Sequence, residues 1–160
     1  MKEKCVTYVA NSEQETIRLG RILGQCLKNR DFVALVGELG SGKTWFAKGL
    51  ALGLDISPET VITSPSFALM NEYQGRIPLF HMDAYRLEKL SAFLSAGLEE
   101  YFYEEGVVAM EWAGRWPEIL PGSRVTVSME VLDKVSRRIV LSGSHPRAIE
   151  ILEELEKKLR

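Results

Sequence analysis

Between Gly37 and Thr44 the chain reads GELGSGKT, which fits the spacing G-x-x-x-x-G-K-[ST]. Residues of these types in this order can hold phosphate. Glycine admits backbone angles that other residues avoid, so successive N–H groups can turn inward as a nest for anionic oxygens. The helix expected to follow adds its positive N-terminal end. Gly37, Leu39, Gly40, Ser41 and Gly42 would form the cradle. Lys43 can reach the β- and γ-phosphates, and Thr44 can place its hydroxyl on Mg²⁺. No N-K-x-D motif for guanine follows later in the chain, so ATP is the expected nucleotide.

Phosphoryl chemistry also needs a carboxylate to hold Mg²⁺ or to orient water, normally at the end of a buried strand beside the loop. Glu111 follows the apolar run GVVAM, and Asp83 follows PLFHM. Both fall at C-terminal ends of predicted strands, where α/β proteins place ligand sites. Asp83 could instead pair structurally with Arg86. Glu111 lies between Met110 and Trp112, where an unpaired charge would be costly. The expectation is Glu111 toward Mg²⁺, directly or through water, with Asp83 orienting the attacking water or the ion from the other side. The segment TSPS, Thr63 to Ser66, reads either as a switch loop ordered by the γ-phosphate or as a plain Ser/Pro turn. Arg86 and Arg115 are conceivable arginine fingers, and the sequence does not choose between them.

The elements that must position these groups follow from patterning. Residues 5–9 read as a strand, and Asn11 or Ser12 can cap a helix running to about Lys28. DFVALVG suits a strand buried on both faces, and a helix after the loop should reach about Leu52. ISPETVITSPS is a loop. FALMNEY and IPLFHMDAY should pair as a hairpin around QGR. Short helices are expected over 88–96 and 98–103, then a buried strand over GVVAMEW. RVTVSMEVL and SRRIVLSG alternate apolar and polar residues, which predicts an antiparallel hairpin with one wet face. The tail PRAIEILEELEKKLR is an amphipathic helix with Pro146 in its first turn and a buried stripe of Ile151, Leu152, Leu155 and Leu159. The order of elements is that of one α/β domain over residues 1–160 with a mixed sheet.

At 160 residues such a domain needs no cross-links to stabilise its core. The net charge of −2 argues against a broad nucleic-acid-binding face. The two cysteines, Cys5 and Cys26, lack metal-ligand spacing, and Cys26 falls in the apolar helix series Leu19, Ile22, Leu23, Cys26, Leu27. With no signal peptide and no membrane-length apolar run, a cytoplasmic location is expected.

Several segments in one order, GELGSGKTWFAKGLA, TSPSF, FHMDAYRL, GLEEYF and VVAMEWAGRWPEILP, closely resemble the TsaE (YjeE) family of bacterial tRNA threonylcarbamoyladenosine synthesis. The resemblance covers about residues 10–125, and its H-x-D-x-Y-R and E-W segments are more specific than the phosphate loop. It implies a P-loop NTPase-like three-layer sandwich, with a mixed central sheet flanked by helices. It implies a small cytoplasmic ATPase that works with TsaD and TsaB, whose assembly transfers the threonylcarbamoyl group to adenosine 37 of tRNA. It implies tRNA contact only through that complex. Lys43 then matches the loop lysine, Thr44 a Mg²⁺ ligand, Glu111 the second metal-associated residue and Asp83 a residue of the ATP cycle. Trp112 matches a tryptophan near the nucleotide, and the segment at Glu13 matches a part that approaches it. Ser66 stands where many members have Thr, and its hydroxyl preserves the switch chemistry. A small-molecule kinase would need an Arg-rich lid, for which Arg137 and Arg138 are the only adjacent arginines. A nucleotide-gated binding module would not need the two acids.

Overall fold

The computed structural model describes residues 2–38, 40–65 and 68–160. Among these residues seven strands form one mixed sheet: β1 (Lys4–Ala10), β2 (Phe32–Gly37), β3 (Met70–Tyr73), β4 (Leu79–Asp83), β5 (Val107–Glu111), β6 (Val125–Val131) and β7 (Arg137–Gly143). Their order is β1-β7-β6-β2-β5-β4-β3. β2 runs parallel to both β5 and β6, and β4 runs parallel to β5. The two expected hairpins, β3–β4 and β6–β7, are present and antiparallel, and β1 closes the far edge against β7.

Among the described residues, four α-helices pack on this sheet: α1 (Glu13–Gln25), α2 (Lys43–Gly53), α3 (Leu90–Ser95) and α4 (Pro146–Leu159). Because side chains alternate across a strand, β2 splits its apolar run between two cores. Val33 and Leu35 join a cluster with α1, α2 and α4, whereas Phe32 and Ala34 join Phe93, Phe102 and Trp116 on the opposite face. The three layers are complete over β2, β5 and β4. Over β1, β7 and β6 the second face stays open, with Thr7, Val9, Glu130 and Arg138 exposed, which is the wet face the alternation predicts.

The sequence places most elements and misses some ends. Ser12 caps α1 by accepting from Glu15 N, but the helix stops at Gln25 instead of near Lys28, with Cys26 as its last cap. Burial pushes the Cys26 thiol up to about 11, as befits a packing residue. Residues 98–103 form a 3₁₀ helix. The expected strand GVVAMEW ends one residue early, since Trp112 turns left-handed at φ 61°.

The helix that carries the loop lysine is fixed by an unusually close seam. An added Cβ at Gly49 would lie 2.2 Å from Ile17 O and 2.8 Å from Gly20 Cα, and one at Gly53 would lie 2.2 Å from Arg21 O and 2.8 Å from Gly24 Cα. Two glycines four residues apart on each helix therefore let α1 and α2 pack backbone to backbone. No helix among the described residues is long and apolar enough to cross a membrane.

Candidate functional site

Parallel pairing sets the site. β2, β5 and β4 point the same way, and their register places Leu35 opposite Glu111 and Glu111 opposite Asp83. The row lies at the strand C-terminal ends, immediately before the loop that leaves β2. Alternation puts Leu79, His81 and Asp83 on the face of β4 shared with α2, and Val107, Ala109 and Glu111 on the same face of β5. Both acids are buried, each 3% exposed.

The loop turns back over this row. Gly40 and Gly42 adopt φ 79° and 102°, values that favour glycine. At Gly37 a Cβ would crowd Ser41 Oγ at 2.6 Å and Met129 O at 2.8 Å. Lys43 opens α2 and bends back, donating from Nζ to Gly37 O at 2.6 Å and to Glu38 O at 2.9 Å. Its ammonium also stands 4.3 Å from the centre of the Trp112 ring. Burial lowers the Lys43 pKa, while Glu111 and then Asp83 pull it back up. Lys43 is thus a buried cation held between loop carbonyls, an aromatic face and two acids.

These residues share a cleft of ≈ 320 Å³ lined by Gly40, Gly42, Lys43, Thr44, Trp45, Ser64, Asp83, Tyr85, Arg86, Glu111 and Trp112. The structure thus brings together seven of the sequence-predicted site residues: Gly40, Gly42, Lys43, Thr44, Asp83, Glu111 and Trp112. Ser41 is buried inside the loop at 1% exposure, and Gly37 underlies it. Glu13 stands apart, in a crevice with Thr16, Gly42, Trp45, Lys134, Val135 and Arg137 beside the loop. Leu39 and Ser66 lie outside the described residues.

The two acids have different surroundings. Asp83 Oδ2 accepts from Ser64 Oγ at 2.5 Å, and Oδ1 accepts from Tyr85 N at 2.8 Å. The middle of the TSPS segment is therefore tied directly to a candidate catalytic acid. Glu111 Oε2 lies 2.6 Å from His81 Nε2 in a fully buried contact. His81 Nδ1 has no partner among the described residues. The arrangement that strands no buried N–H has the proton on Nε2, donated to Glu111. Sequence reading missed His81 as a support for Glu111. Its signal was position: it lies two residues before Asp83, hence on the same face of the strand.

Trp112 leaves Glu111 in the left-handed region, which strains a bulky residue. The turn swings its ring between Tyr85, 5.0 Å away centre to centre, and Lys43. Arg115 donates from Nη1 to Ala84 O at 3.1 Å and to Leu87 O, so its guanidinium is engaged with the segment after Asp83. Arg86 lines the cleft.

Among the described residues no three His, Cys, Asp or Glu side chains converge as a metal cage. The donors at hand are oxygens of Thr44, Asp83 and Glu111 beside the Lys43 ammonium. That set fits Mg²⁺, which takes one or two carboxylates and completes its shell with phosphate oxygens and water.

Comparison with known proteins finds relatives along most of the chain. The family model described as "Threonylcarbamoyl adenosine biosynthesis protein TsaE" matches residues 10–139. The chain is 45% identical over 134 residues to a Treponema pallidum protein named tRNA threonylcarbamoyladenosine biosynthesis protein TsaE, covering 84% of this chain and 98% of that one. A Bacillus subtilis protein of the same name is 37% identical over 145 residues, covering 90% and 89%. The crystal structure of Bacillus subtilis YdiB superposes with a TM-score of 0.85 at 31% identity, covering 100% of this chain and 99% of that one.

Proposed function

The chain belongs to the TsaE family of tRNA threonylcarbamoyladenosine biosynthesis, and from this we propose that it is a Mg²⁺-dependent ATPase whose hydrolysis resets a TsaB–TsaD assembly. The observation that carries the proposal is the facing of Lys43, on a glycine loop, by Asp83 and Glu111 within one cleft. Lys43 and the loop N–H groups bind and neutralise the phosphate chain. Thr44 and Glu111 are the residues that would hold Mg²⁺, which supplies charge stabilisation on the transferring group. Asp83 orients water toward the γ-phosphate, and its bond to Ser64 lets that loop report the nucleotide state. Arg86 lines the cleft in which charge would develop.

Without an arginine set on the transferring group, hydrolysis by the lone chain is slow, and a partner that orders the TSPS loop speeds it. A small-molecule kinase is disfavoured by Arg137, whose guanidinium is bonded to Gly40 O and Ser41 O instead of standing available for a lid. The acidic balance of the chain fits tRNA contact through the complex, and the reaction belongs in the cytoplasm. The test is phosphate release from Mg²⁺·ATP by the purified chain, alone and with TsaB–TsaD, with Lys43→Ala as the blank. Slow release, raised by the partners and absent in the variant, is the expected result. ATP binding without release under any condition would sink the ATPase reading.

A further inference from the structure

The phosphate loop contains two glycines in left-handed conformations, and one of them is not held by packing. At Gly40, no described heavy atom lies within 4 Å of an added Cβ, apart from the chain neighbours. Glycine pays the largest entropy loss on ordering, so something other than side-chain packing must set the peptide planes here.

Arg137, at the start of β7, is in place to do so. Its Nε donates to Ser41 O at 3.0 Å and its Nη2 to Gly40 O at 3.1 Å. Its Nη1 donates to Asp133 O at 2.9 Å and to Ser136 O at 3.0 Å. One planar fork thus holds four carbonyls, two in the loop and two in the turn between β6 and β7. A peptide unit is planar and trans, so a carbonyl and the following N–H point opposite ways. Drawing Gly40 O and Ser41 O toward Arg137 turns the N–H groups of Ser41 and Gly42 away from it. Ser41 N–H is used within the loop, by Glu38 O at 3.0 Å. The Gly42 N–H is thereby aimed on the side opposite Arg137. The guanidinium itself does not line the main cleft; it borders the crevice beside Glu13 and Gly42.

We propose that Arg137 is a positioning residue for phosphate: it clamps the peptide planes of residues 40–42 in the anion-accepting orientation and ties them to the β6–β7 turn. This rests on the nucleotide reading above. Lysine cannot replace the clamp, since an ammonium lacks the rigid fork that reaches several acceptors at once.

The test compares the whole chain, wild type, Arg137→Ala and Arg137→Lys, by Mg²⁺·ATP titration, steady-state phosphate release and amide hydrogen exchange without nucleotide. Arg137→Ala should raise Kd and KM about tenfold, as expected for losing charge-assisted hydrogen bonds, with kcat within about threefold. Arg137→Lys should bind nearly as weakly, and millimolar guanidinium, but not urea, should restore Arg137→Ala. Exchange at residues 40–44 should speed up in Arg137→Ala while the thermal midpoint of the sheet moves little. Nucleotide affinity within twofold of wild type, or full activity in Arg137→Lys, overturns the clamp. If Arg137→Ala does not fold, Arg137→Lys decides by the same measurements. If the wild type binds no nucleotide, it is the functional reading that fails; loop exchange then judges the clamp by itself, and unchanged exchange in the variant overturns it.

Discussion

The cleft has two sides built on different principles. The loop side, residues 37–44, is held mainly through backbone: glycine angles, Lys43 on its own loop carbonyls, Arg137 on two more, and the glycine seam beneath α2. The acid side, at the ends of β4 and β5, is held through side chains: Ser64 on Asp83, His81 on Glu111, and Trp112 between Tyr85 and Lys43. Backbone donors suit a ligand common to all nucleotides, which is the phosphate chain. Side-chain contacts can be remade as charge moves, which suits the reacting end. Variants on the loop side should therefore act on binding, and those on the acid side on turnover.

The largest effect should come from the acid side. Glu111→Gln preserves shape and a polar contact for His81 while removing the charge. Phosphate release at saturation should fall about 10²–10³-fold, as for the loss of one preorganised electrostatic group, with ATP affinity within about threefold. A second readout follows from Lys43, whose pKa is lowered by burial and partly restored by Glu111. Without that carboxylate it drops further. The sign follows from linkage. A lysine depressed in the fold is deprotonated there while the unfolded chain still holds the proton, so stability rises with pH from the folded pKa up to the ordinary value of 10.5. Glu111→Gln should extend that rise to lower pH, seen in denaturation midpoints followed across alkaline pH. An equal loss of affinity and turnover would mean that the two sides act as one unit.

The two sides were unequally legible in the sequence. GELGSGKT announces itself because each residue's task is local to the loop, and Asp83 and Glu111 follow from the rule that strand ends carry ligands. What supports them was harder to read. The pairing of His81 with Glu111 depends on β4 and β5 being parallel in one register, a fact of tertiary structure. Arg137 reaches Ser41 across 96 residues of chain, and its place within an alternating strand gave no sign of it. Trp112 looked like the end of a strand because a bulky residue is a poor candidate for left-handed backbone. The spacing of Gly20 with Gly24 and of Gly49 with Gly53 was visible, but its meaning required knowing that α1 and α2 touch.

That seam gives the intermediate effect, and it sharpens the comparison by striking only the loop side. Gly49→Ala would place a methyl 2.2 Å from Ile17 O, a backbone atom that cannot rotate away. The helices must separate, at about 1–3 kcal/mol for overpacking, offset in part by alanine's better helix propensity. Urea denaturation should show the net loss. Because α2 carries Lys43, ATP affinity should weaken while turnover at saturation holds. Unchanged stability would show that the seam can open freely and that the loop side is less fixed than its backbone contacts suggest.

The smallest effect concerns Trp112, the acid-side residue that touches the loop-side cation. Leucine there would keep an apolar side chain and the same left-handed backbone strain, so the difference isolates the ring. The ring face lies 4.3 Å from Lys43 Nζ, and such a contact is worth about 0.5–2 kcal/mol. Part of that returns when phosphate binds, since an ammonium released from the ring is freer to meet an anion. Trp112→Leu should therefore change ATP affinity by less than about fivefold, less than Arg137→Ala changes it. Turnover should fall more than affinity, because the turn at residue 112 directly follows Glu111 and the ring helps to hold it. If affinity alone moved, Trp112 would belong functionally to the loop side despite its place directly after β5, and the boundary between the two sides would have to be drawn through the tryptophan and not through the cleft.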